Sequence, residues 1–388
     1  MENSKKMLYA NQLSFAILGA IEAAWAPMTP YVKSAMALDD AQFGQLLLSI
    51  GLGSLIALPI VGPLISKFGP RAIAIICGLF LAFSLVCVSL SSSLAFMYVM
   101  LAVFGASLIG LDVSSNVNAV VVESIFKRPL MSGFHGGYSF GTIVGALFIT
   151  LLLTLGFNLS VCAITLFVVM GGITIYGCRA LVKDVKEFNQ NKVEEKKEIK
   201  ETKKHAFPAI ILVLGCLCFI MYGAEGALLN WGAVFATQNR GISPEIAGYF
   251  YLFFAVAMTI TRLLGNRVVS KIGRRKTVVT GALLVSLGFF ITALIENNFG
   301  MMLGFGIIGL GAGNIVPQLV SFTGTIKGIK VQSAISLINA LGYSGILLAP
   351  VIIGHISNLF SLETSFMVLG VGVFMVAIVS FKLLKVKH

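Results

Sequence analysis

The sequence predicts an all-α integral membrane protein of twelve transmembrane helices in two pseudo-symmetric six-helix bundles. Three observations carry that prediction. Of 388 residues, 57% are hydrophobic and 11% charged, whereas a soluble domain carries about 25% charged residues. The apolar residues gather in runs of about 20, the length at which a helix crosses a bilayer. The basic residues collect in alternate loops.

Taken in order, the spans fall at residues 8–30, 42–66, 71–91, 95–122, 132–155 and 158–181, then at 208–236, 244–266, 277–295, 299–323, 331–355 and 364–384. The net charge of +12 points to topology rather than to a nucleic-acid partner. With the N-terminus in the cytoplasm, only Lys33 and Arg240 of the 28 Lys and Arg residues fall outside. That is the positive-inside pattern, and it would be lost if the span count shifted by one. Both termini are therefore expected in the cytoplasm, with the protein multi-pass in the cytoplasmic (inner) membrane. The first hydrophobic stretch is a full span without a small-residue cleavage site, so no cleavable signal peptide is expected.

The long hydrophilic segment Arg179–His205 contains the run Lys192–Lys204, whose opposite charges at i,i+4 suit a short solvated helix. Its clustered lysines also suit contact with anionic headgroups. It divides the chain into a first six-helix bundle at 1–181, a cytoplasmic linker at 182–206 and a second bundle at 207–388. The halves echo each other. Gly62, Lys67, Gly69 and Arg71 lie in the loop after span two; Gly265, Arg267, Lys271, Gly273 and Arg274 lie in the loop after span eight. Glycine permits tight turns and close helix approach, and the cations can meet helix C-termini and acidic partners. The two tryptophans sit at matching places, Glu22-Ala-Ala-Trp25 in span one and Glu225-Gly-Ala-Leu-Leu-Asn230-Trp231 in span seven. These correspondences point to duplication.

With these loops in view, the chain resembles the major facilitator superfamily across essentially its whole length. Four further stretches resemble a narrower bacterial group of inner-membrane carriers, the YbjJ-like proteins, distantly akin to fucose permeases. They are Leu111–Ala119, Phe134–Gly141, Glu225–Trp231 and Leu341–Gly345. The loop signature usually carries an acid where Ser66 and Asn266 stand, and Asn230 stands for a usual Asp. The resemblance implies the major facilitator fold, with spans one, four, seven and ten lining a central cavity. It also implies alternating access as the halves rock about a midplane site, and function as a monomer.

The chemistry is expected at Glu22, Asp112 and Glu225, each well inside a hydrophobic run. A carboxylate at that depth costs roughly 3 kcal/mol on the milder insertion scales, and such residues usually face a cavity or bundle interior. Counting along the helices at about 1.5 Å per residue places all three at a similar depth near the bilayer middle. Asp112, Asn116 and Glu123 share one face of span four, and His135 lies where Glu123 can reach it. Arg262, at the cytoplasmic end of span eight, is the cation nearest the midplane. A carboxylate without a cation is destabilised in its charged form, so it binds a proton, a metal cation or a cationic substrate. Glu22, Asp112, Glu225, His135 and Glu123 are thus the proton-coupling candidates.

Anion sites normally place Arg or Lys against the substrate. Here the polar set is Asn116, Asn230, Asn314, Gln318, Asn339, Tyr138 and Tyr343, joined by the indoles of Trp25 and Trp231. Amides and hydroxyls suit sugars, polyols, nucleosides or neutral amides, and acids beside indoles suit an organic cation. The six cysteines read as packing residues, and no metal or other cofactor is expected. The small-residue runs Gly306–Gly313 and Gly141–Gly145 read as close-packing helix faces. The expected activity is secondary transport of a small polar neutral or cationic solute, coupled to protons, with solute, H⁺ and lipid bilayer as partners. The rival readings are proton-driven efflux of amphipathic cations and a non-transporting receptor on a carrier fold. An enzyme is not expected, because no zinc-ligand motif and no Ser-His or paired-Asp protease signature is present.

Overall fold

A computed structural model of the chain describes residues 2–127, 130–183, 209–326 and 331–384. The linker expected at 182–206, including Lys192–Lys204, lies outside the described residues beyond 183. Described regular structure is entirely helical.

The first expected span is not one helix. It is α1 (Glu2–Ala24), a 3-10 turn (Ala26–Met28) and α2 (Thr29–Ala35). Proline has no N–H to donate and fits the first turn of a helix better than its interior. Pro27 and Pro30 each stand in the first turn of a new element, so they divide what would otherwise be a continuous helix. Then follow α3 (Asp40–Phe68), α4 (Pro70–Leu90), α5 (Leu94–Phe126), α6 (Met131–Thr154) and α7 (Leu159–Gly177). After the linker come α8 (Ala209–Arg240), α9 (Pro244–Ile272), α10 (Arg274–Leu294), α11 (Asn298–Ala312), α12 (Ile315–Phe322), α13 (Val331–Leu359) and α14 (Leu362–Leu383). Among the described residues, eleven stretches are long and apolar enough to cross a membrane, with α11 and α12 together forming one. With α1 they make the expected twelve. Leu55, Ile56, Leu151 and Leu263 are exposed along these helices, as lipid-facing side chains should be.

The short connections carry their own punctuation. Ser93, Asn158, Asn297 and Ser361 cap α5, α7, α11 and α14 by accepting a backbone N–H of the first turn. At the two equivalent basic loops, Gly69 and Gly273 take φ of 82° and 81°, a region open to glycine at little cost. Each ends a long helix and lets the next begin at the following residue.

By their internal contacts the described residues form two compact units. One takes Met1–Ala24, Ser49–Leu152 and Phe157–Ala206; the other takes Trp25–Leu48, Leu153–Gly156 and Phe207–His388. In the first unit α1 and α6 meet along a glycine seam. A Cβ on Gly19 would strike the Tyr138 carbonyl, one on Gly141 the Ala16 carbonyl, and one on Gly145 the Ala20 carbonyl. Gly53 and Gly105 play the same part between α3 and α5, where Ser54 Oγ donates to the Gly105 carbonyl at 2.9 Å. The second unit repeats both devices. Gly345 lies on the Phe219 carbonyl between α8 and α13, and Gly309 and Gly313 lie on α9 carbonyls. Of the expected Gly306–Gly313 face, Gly306 has nothing within 4 Å of its Cβ position, so this glycine belongs to no seam. With little hydrophobic driving force between helices in lipid, such backbone-to-backbone approach is what holds them.

Candidate functional site

In the first unit, the α1/α6 seam brings Tyr138 to Glu22: the phenol O–H donates to Glu22 Oε2 at 2.7 Å. Asp112 lies near the middle of the 33-residue α5. Its carboxylate accepts from the Asn116 amide at 3.0 Å, and the same nitrogen donates to the Asp112 backbone carbonyl at 2.9 Å. Among the described residues this amide is its hydrogen-bonding side-chain partner; no cation reaches it. Sequence spacing placed Asp112, Asn116 and Glu123 on one face, and the first two do meet. Glu123 stands in the last turn of α5. Its Oε1 accepts the backbone N–H groups of Leu130 and Met131 at 2.6 and 2.8 Å, closing the turn from α5 into α6. His135, one turn further, sets its ring edge against Phe15 at 5.2 Å between centroids.

In the second unit, Trp25 and Asn230 come together: Trp25 Nε1 donates to Asn230 Oδ1 at 3.0 Å, and Asn230 Nδ2 donates to the Gly226 carbonyl at 2.8 Å. Trp231 is fully buried with its ring edge-on to Phe43 at 5.2 Å. Glu225, at the centre of α8, lies 3.5 Å from Arg262 Nη2. The cation nearest the midplane is therefore committed to this acid, which distinguishes Glu225 from Asp112. The Glu225 side chain is 18% exposed and that of Arg262 34%.

One turn before Glu225, Tyr222 stacks on Tyr343 of α13 at 5.4 Å and 26°. Both face a recess of about 430 Å³ whose wall also includes Pro317, Ser321, Thr323 and Asn339. Asn314 is held in the scaffold, donating to the Thr261 carbonyl at 2.8 Å, and Gly265 leaves the room its amide needs. Gln318 follows one turn later on α12, half-buried.

The loop residues behave as turn and anchor. Arg71 Nε donates to the Leu181 carbonyl at 2.7 Å, a cation on a helix C-terminus as expected. Arg274 donates to Ser321 Oγ at 3.0 Å, so its partner is a hydroxyl rather than an acid. Lys67 lies over the Phe68 ring. Gly62 has open space at its Cβ position, and Arg267 and Lys271 occupy the last turns of α9.

Sequence reasoning missed three participants. Tyr222 was one aromatic among many. Phe43 precedes Gly44 in a stretch with no polar signal. The third is the part-buried set of Lys33, Asp40 and Ser357, in which Lys33 pairs with the Asp40 carboxylate and Ser357 Oγ donates to its other oxygen. The one available signal was that Lys33 and Asp40 flank a short loop; nothing pointed to Ser357, 317 residues away.

Helices of spanning length packed along glycine seams, with Asp112 and Glu225 at the middles of two of them, are those of a polytopic membrane protein. The family model of the Major Facilitator Superfamily matches residues 13–271 and 214–388, and the chain belongs to that superfamily. An uncharacterized MFS-type transporter of Yersinia pestis is 39% identical over 358 residues, covering 92% of this chain and 90% of that protein. The membrane protein MosC of Rhizobium meliloti is 26% identical over 374 residues, 95% and 88% of the two chains. Among solved structures, a D-xylose–proton symporter superposes with TM-score 0.77 at 15% identity, covering 97% of each chain. The nucleoside transporter NupG gives 0.73 at 13%, covering 100% of each chain. The chain thus has the major facilitator fold.

Proposed function

We propose that this transporter moves a small polar solute, neutral or cationic, across the cytoplasmic membrane by alternating access, in symport with protons. Both termini and the segment 182–206 lie in the cytoplasm in this reading, and the monomer is the working unit. The observation that carries it is Asp112. A carboxylate in the middle of a spanning helix, held by an amide and, among the described residues, by no cation, is neutralised most simply by a proton or by a cationic solute. Glu22 beside Tyr138 and Glu225 beside Arg262 are the other two proton carriers. Tyr222, Asn339 and Tyr343 line a recess next to the Glu225–Arg262 pair and provide stacking and hydrogen bonding for the solute. Glu123 and His135 stand nearer the α5–α6 turn, where the Glu123 carboxylate organises the backbone.

The test begins with a thermal-shift screen of purified protein against neutral and cationic metabolites, since a selective ligand stabilises the folded state by mass action. D-xylose and nucleosides, named for two proteins of this fold, belong in the panel. With a ligand in hand, solute-driven proton flux is measured in proteoliposomes for Glu22→Gln, Asp112→Asn and Glu225→Gln. The reading requires at least one of them to uncouple solute from protons. Unchanged flux in all three overturns it.

A further inference from the structure

The hairpin Trp25–Leu48, made of the 3-10 turn, α2 and the start of α3, is fastened to α8 and α13 within the second unit. The fastening has two layers. At the hairpin's tip Lys33 pairs with the Asp40 carboxylate, which also accepts from Ser357 Oγ near the end of α13. Gly44 packs on the Pro350 carbonyl and Gly354 on the Asp40 carbonyl, so no side chain separates α3 from α13 at this level. In the second layer Trp25 donates to Asn230, and Phe43 meets the ring of Trp231. Lys33 is 5% exposed.

We propose that Lys33, Asp40 and Ser357 are positioning residues: a polar latch that holds Trp25 and Phe43 against Asn230 and Trp231, and that opens during transport. The first part is read from the contacts alone; the second rests on the transport function above.

Two features make this a device with discrete states rather than ordinary packing. A buried ammonium is tolerated only while its carboxylate stays in place, and the carboxylate is held in turn by the Ser357 hydroxyl. The Lys33–Asp40 pair lies within the hairpin and can outlast its release; the polar tie to α13 that opening breaks is the bond from Ser357 Oγ to the Asp40 carboxylate. Against them stands a defect of the closed state. The indole N–H of Trp231 is buried with no hydrogen-bond partner among the described residues. Leaving a buried donor unpaired is costly, and opening the hairpin to water would satisfy it. The closed arrangement is thus opposed from within, and the latch decides which side prevails.

The chain's two tryptophans, Trp25 and Trp231, both lie in the second layer. Intrinsic fluorescence therefore reports on the latch in the intact protein and needs no solute. In proteoliposomes with iodide on both faces, Asp40→Asn should shift tryptophan emission to the red and raise the quenching constant roughly twofold, as a population shift toward the open hairpin would. Ser357→Ala, which keeps the ion pair and removes one hydroxyl, should move both readouts in the same direction by less. The charge-swapped pair K33D/D40K should return them toward the unaltered protein. The latch is overturned if Asp40→Asn and Ser357→Ala leave emission and quenching unchanged. It is also overturned if the swapped pair stays as exposed as Asp40→Asn. Absent proton flux alongside a latch-type fluorescence result would count against the transport reading and not against the latch.

Discussion

Removing the Arg262 charge should expose how far Glu225 depends on it. Arg262 Nη2 and Glu225 Oε2 are 3.5 Å apart, where two unit charges attract by about 5 kcal/mol at an effective dielectric of about 20. Most of that attraction is offset. The side chains are 34% and 18% exposed, so water screens the pair, and bringing both groups out of water costs several kcal/mol. A net coupling of about 1–2 kcal/mol remains. The assay is a double-mutant cycle of Arg262→Gln, Glu225→Gln and the pair, read by thermal unfolding in one detergent at fixed pH and salt. Arg262→Gln should be the more damaging single change. It strands a carboxylate in the middle of α8, whereas Glu225→Gln leaves a guanidinium that already reaches toward water. The double variant should recover part of the loss. Additivity of the two single changes within about 0.5 kcal/mol, the behaviour of independent sites, would refute the pairing.

Four further outcomes follow from the seams and turns. Gly145→Leu would drive a side chain into the Ala20 carbonyl and force α1 from α6, lowering stability by about 1–3 kcal/mol, while Gly306→Ala should be neutral or slightly stabilising; melting temperatures in detergent decide both. Gly273→Ala should cost about 1–2 kcal/mol, because φ of 81° is strained for any residue with a Cβ; denaturation midpoints measure it. Glu123→Gln weakens an acceptor shared by two turn amides and should lower stability by about 1–2 kcal/mol. Solute flux per folded molecule in proteoliposomes should then stay near that of the unaltered protein, in contrast to Asp112→Asn.

Much of the fold was legible because a bilayer enforces it. Backbone groups cannot go unpaired in lipid, so an apolar run of about 20 residues is a helix almost regardless of propensity. Gly69 and Gly273 were visible as repeated punctuation, and both prove to hold positive φ. The division of the first span was not legible from hydropathy, because Pro27 and Pro30 interrupt the helix without interrupting its apolar character. In the site, the contacts between near neighbours could be found, as Asp112 and Asn116 are one helical turn apart. Tyr138 with Glu22 required knowing that a glycine seam joins α1 to α6. Arg262 could be flagged by depth, but its reach to Glu225 depends on the side chain and on how α9 lies against α8. Lys33, Asp40 and Ser357 gave least away, since polar residues at helix ends normally meet water.

The hairpin Trp25–Leu48 also imposes a schedule on biosynthesis. Asn230 is made 205 residues after Trp25, and Ser357 comes 317 residues after Asp40. At about 5–20 residues per second, Asp40 waits roughly 15–60 seconds for its last partner. Throughout that interval Lys33 can hold the neighbouring carboxylate, a contact seven residues apart that needs nothing yet unmade. The pair can thus form early as a local clasp, keeping a charged loop tidy at the membrane until α13 arrives to receive it.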